Sequence, residues 1–69
     1  MTQKELLYVE DAIGHEKVII DVCNYMLEEL QDDELVSFIS DEIKKHEELK
    51  NELMNMLEAK SNEWSNVYG

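Results

Sequence analysis

The stretch "QDDEL", Gln31–Leu35, interrupts two long helical patterns and decides how the chain folds. Before it, apolar residues recur at steps of three and four: Leu6, Val9, Ile13, Ile20, Cys23, Leu27 and Leu30. This is the a/d spacing of a helix that buries one face in a bundle. Within the stretch, Asp32 is a natural N-cap. Asp33 and Glu34 follow it in a first turn, where the helix dipole favours negative charge. A second pattern then runs Leu35, Ile39, Leu49, Leu53 and Met56 and fades near Ala59. Upstream, Thr2 and Glu5 have the spacing of a capping box. Proline is absent, glycine occurs only at Gly14 and Gly69, and nothing favours strands. The reading is all-α: helix 1 over about 3–30, helix 2 over about 33–59, and a C-terminal tail 61–69. Each helix is about 40 Å long, and so short a connection folds them into an antiparallel hairpin, 1–60. Two helices leave one side of each seam open, so homodimerisation into a four-helix bundle is expected.

Length and charge narrow the function classes. A chain of 69 residues makes one small domain with a marginal core, which a metal or a partner chain commonly supports. Cys23 is the only cysteine, so no disulfide within the chain helps, and a lone thiol suits a reducing compartment. No secretory signal is visible, and no apolar run approaches the roughly 18 residues needed to span a membrane. A cytoplasmic chain without membrane contact is expected. The chain has seventeen Asp and Glu against six Lys, for a net charge of −11. The acids are spread along both halves, which disfavours nucleic-acid binding, since that needs cations to displace counterions. The charge suits cation binding, solubility, or an acidic inhibitor that mimics nucleic acid. Mimicry needs carboxylates in ordered rows on one surface, and here they lie around most of the outer face.

Three polar residues fall on the apolar tracks. With Leu6, Ile13, Ile20 and Leu27 as one heptad position, Glu16 occupies the other, together with Val9, Cys23 and Leu30. In helix 2 the track Leu35, Ile39, Glu42, His46, Leu49, Leu53, Met56 contains a glutamate and a histidine. In the folded hairpin, positions whose numbers sum to about 63 share a level. Glu16 then lies opposite His46 and Glu47, and Glu42 stands one turn from His46 on the same face. A buried glutamate without a partner is costly. Two glutamates and a histidine per chain make an oxygen-rich, imidazole-containing donor set suited to iron, manganese or zinc. The same residues also fit a metal-free polar cluster that sets the helix register.

The segments "YVEDAIGHEKVIIDVCNYM", Tyr8–Met26, and "DDELVSFISDEIKKHEELKNELMNML", Asp32–Leu57, resemble short ferritin-like proteins of spore-forming bacteria, some of them spore-coat proteins. They are also similar to the two-helix half-bundle of encapsulated ferritins. The resemblance covers about residues 4–58. It implies a di-iron site completed on dimerisation, with Glu16 as the helix-1 ligand and Glu42 with His46 as the helix-2 pair, and ferroxidase-like chemistry. In that family the helix-2 pair is Glu-x-x-His. Here it is Glu-x-x-x-His, with Ile43 three before His46. The alternative is a metal-free structural or assembly module, such as a spore-coat component.

A second stripe on helix 1, Tyr8, Asp11, His15, Val18, Val22 and Tyr25, lies roughly opposite the main seam. Its apolar members Tyr8, Val18, Val22 and Tyr25 predict a protein contact or a seat for Trp64, Val67 and Tyr68 of the tail. His15 cannot share Glu16's seam and reads as a surface residue. Cys23, Met26, Met54 and Met56 read as core filling.

Overall fold

The computed structural model describes the backbone of residues 1–68 and the side chains of residues 1–60. Two α-helices, α1 (Gln3–Glu29) and α2 (Asp33–Tyr68), run antiparallel. The molecule is a rod of 53 × 15 × 14 Å. α1 starts where the capping box places it. Glu5 N–H donates to Thr2 Oγ1 at 3.0 Å, and Thr2 N–H donates to Glu5 Oε1 at 2.7 Å. Two of the orphan amides of the first turn are thereby satisfied. α1 stops at Leu30, whose extended backbone (φ −78°, ψ 138°) turns the chain while its N–H still reaches Met26 O at 2.9 Å. Asp32 caps α2, with Leu35 N–H donating to Asp32 Oδ1 at 3.0 Å. α2 continues to Tyr68, past Ala59 where the apolar pattern fades. The proposed seat for Trp64, Val67 and Tyr68 concerns side chains outside the described residues.

The α1 seam follows its apolar track. Ile13, Glu16 and Ile20 are buried, and Leu6, Val9, Cys23, Leu27 and Leu30 are half-buried. The α2 seam does not follow the expected track. Ile39, His46 and Leu53 face α1 as expected, but Leu35, Leu49 and Met56 are 50%, 42% and 48% exposed. In their place the contact uses Val36, Ile43, Lys50 and Leu57, all half-buried. These residues also keep steps of three and four; because Ile39, His46 and Leu53 are common to both tracks, only alternate positions move on by one residue and the seam as a whole turns by roughly 50°. Lys50 explains the difference. It is half-buried, and an amphipathic lysine can occupy a contact position that a hydrophobic pattern does not mark.

The displaced residues form a second surface. In antiparallel helices, an offset of the same rotational sense from each seam leads to the same side of the hairpin. Ile19, Cys23 and Met26 on α1 and Leu35, Phe38, Leu49 and Met56 on α2 are offset in this common sense. They make one largely apolar front face across both helices, mostly exposed in a single chain. The fully packed interior is small: Ile13, Ile20 and Ile39, with Glu16 among them.

Candidate functional site

Glu16 is the only buried charged residue among those described, at 9% relative exposure. It lies between Ile13 and Ile20 on the α1 seam and so cannot reach bulk water easily. Its partner is the one anticipated from register. Glu16 Oε2 lies 2.5 Å from His46 Nδ1, a short contact for a nitrogen–oxygen hydrogen bond. The far side of the ring faces Glu42 on the preceding turn of α2, with His46 Nε2 to Glu42 Oε2 at 3.9 Å. That gap exceeds hydrogen-bond length. Lys45 Nζ lies 3.4 Å from Glu42 Oε1.

The imidazole therefore stands between two carboxylates contributed by two helices. When neutral, the ring carries one N–H, which serves Glu16 through Nδ1. Nε2 then turns a lone pair toward Glu42 Oε2. Among the described residues, no buried side-chain nitrogen or oxygen lacks a partner.

Glu16 and His46 meet as expected. Glu42 is close but not central: it is half-buried on the front-face flank of the seam, next to Phe38 and Leu49 in helical position. Lys45 joins the cluster without having been anticipated. Its i,i+3 spacing from Glu42 is the signal that identifies it. His15 is exposed, as expected, and takes no part. Cys23 is a free thiol, half-buried on the seam edge. A surface hollow lined by Asn51, Met54, Asn55, Leu57 and Glu58 lies along α2 away from this cluster.

Within one chain, no group of three His, Cys, Asp or Glu donors among the described residues is placed to hold a metal ion. The donor types suit a metal, but in one copy Glu16 and His46 engage each other and Glu42 engages Lys45. No helix among the described residues is long and apolar enough to cross a membrane. No protein-family model matches the chain, no curated protein matches it, and no solved structure matches it. The ferritin-like resemblance therefore rests on the two sequence segments alone.

Proposed function

We propose that the chain is a self-associating helical hairpin that forms a homodimeric, ferritin-like four-helix bundle and binds iron, manganese or zinc through Glu16, Glu42 and His46 of each copy. One observation carries this reading: two carboxylates and an imidazole from two helices lie close together at mid-height beside a largely apolar open face. The accessible surface supports association. It measures 5435 Å², against about 4,500 Å² for a compact monomer of 8.1 kDa. The excess, about 900 Å², is what an elongated two-helix rod exposes over a compact globule, and a second copy on the front face would cover part of it. Docking through the front face brings two copies of the cluster toward each other. Six donors are then available where one chain offers three, of which two are already paired with each other. A metal bound there supplies a fixed positive charge between the carboxylates and takes the place of a ring proton. Metal binding, rather than turnover, is the proposed role.

The test is to load chelator-treated protein separately with Fe(II), Mn(II) and Zn(II) and to measure metal per chain and melting temperature. The reading expects about one equivalent per chain and a raised melting temperature. It also expects Glu42→Gln to lose uptake while the hairpin, whose Glu16–His46 pair is untouched, stays folded. Uptake below roughly a tenth of an equivalent with all three ions, and no thermal shift, would end it.

A second reading has its own observation. The Glu16–His46 contact closes inside one chain without any ion. It fits a metal-free assembly module, such as a coat component, in which the pair sets helix register. Replacing both residues by leucine then yields a bundle at least as stable as the wild type.

A further inference from the structure

The side of α1 turned away from α2 carries a second apolar track. Leu7, Val18 and Tyr25 are 56%, 60% and 64% exposed and lie at nearly the same angle around the helix. Gly14 falls on the same track, seven residues after Leu7 and four before Val18. Nothing lies within 4 Å of where a Cβ on Gly14 would be. Packing inside the hairpin therefore does not account for a glycine in the middle of α1, where it is the poorest helix former after proline. A glycine flanked by exposed apolar residues is what a close helix crossing from outside requires.

We propose that this track docks a second copy of the chain, α1 against α1 and antiparallel, about a two-fold axis midway between Gly14 and Val18. The register is self-complementary, as a two-fold contact demands. Gly14 of each copy lies level with Val18 of the other, so a β-branched knob meets a hollow twice. Leu7 lies level with Tyr25 of the second copy. Lys4 lies at the level of Glu28 and Glu29 of the second copy, which pairs opposite charges at both ends. A parallel pairing loses all of this: it sets Gly14 on Gly14 and Lys4 on Lys4. Asp11 and Asp21 flank the track on both copies, so the contact tightens as salt screens them. The track lies opposite the seam and is separate from the front face and the donor cluster. A chain that uses both surfaces builds an assembly larger than a dimer.

Sedimentation equilibrium on the full chain tests this. The wild type is expected to exceed the dimer mass, and Val18→Glu to lower its mass about twofold, with far-UV helicity and zinc uptake unchanged. Gly14→Leu fills the hollow and is expected to lower the mass while helicity rises. Register is read in a Cys23→Ala background by mixing Leu7→Cys chains with Tyr25→Cys chains and adding a short bis-maleimide. Mixed cross-links should predominate over like-with-like ones. A wild type of dimer mass still supports the contact if Val18→Glu makes it a monomer and Phe38→Glu does not. An unchanged mass for Val18→Glu, a monomeric wild type, or a predominance of like-with-like cross-links overturns it. Zinc uptake reads the donor cluster separately, so failure of either proposal is visible without the other.

Discussion

At the scale of single residues, the Glu16–His46 pair is held by burial as much as by attraction. Taking a carboxylate out of water is costly, and the imidazole against Glu16 Oε2 offsets that cost. His46→Leu therefore leaves a buried carboxylate without its donor and should lower unfolding free energy by about 3 kcal/mol. Adding Glu16→Leu removes the stranded charge and should restore the loss, which a urea-melt double-mutant cycle measures. Glu5 gives a second residue-scale prediction. Its hydrogen bonds from Thr2, through the backbone amide and then the hydroxyl, hold its carboxyl below the usual glutamate range. Because the folded value is depressed, the contribution is fully present above the unfolded value. It is lost as pH falls through the folded one. Glu5→Gln should flatten this part of an acid titration followed by the Thr2 and Glu5 amide shifts. Thr2→Ala, which removes the hydroxyl half of the box, should cost about 1 kcal/mol at neutral pH.

At the scale of the helices, the phase of α2 decides which substitutions weaken the hairpin and which weaken its association. Leu57 is half-buried in the seam and Met56 points to the front face. Leu57→Ala should destabilise the hairpin at every protein concentration, by about 2 kcal/mol, the low end of the range for a partly buried leucine. Met56→Ala should matter only where chains associate, and its effect should fade on dilution. Both are read from melting curves over a concentration series. This contrast also shows what the amino-acid sequence made legible. The breaks at Thr2, Leu30 and Asp32 were readable because caps are local chemistry between residues three or four apart. The α1 seam was readable because its members are apolar apart from Glu16. The α2 phase was not, because two tracks compete there. One carries Leu35, Leu49 and Met56 but faces outward, and the other carries Lys50, whose amphipathic stem a hydrophobic pattern counts as polar. Glu16 opposite His46 survived this error because both tracks share His46. Glu42 belongs only to the outward track and therefore sits on the flank.

At the scale of the whole molecule, surface area and charge oppose each other. A rod of two helices with three buried isoleucines among the described residues has a small interior, and in the proposed dimer its front face would be covered on meeting a second copy. A net charge of −11 on every copy resists that meeting. Association should therefore strengthen with ionic strength. The effect should be steepest as the screening length falls from about 30 Å at 0.01 M salt to about 8 Å at 0.15 M. Melting temperature should rise with both salt and protein concentration, since a partner that binds only the folded chain stabilises it by mass action. Phe38→Glu adds a charge to the front face and should reduce the concentration dependence to what the α1 track alone contributes, while leaving the helices formed at low temperature. Divalent cations separate screening from specific binding. If Glu42 and His46 hold a metal, zinc should raise the melting temperature at concentrations far below those at which magnesium acts by screening. Glu42→Gln should then bring the zinc response down to that of magnesium. Equal responses to both ions in the unaltered chain would mean that the acidic surface is merely screened and that the cluster binds no metal of its own.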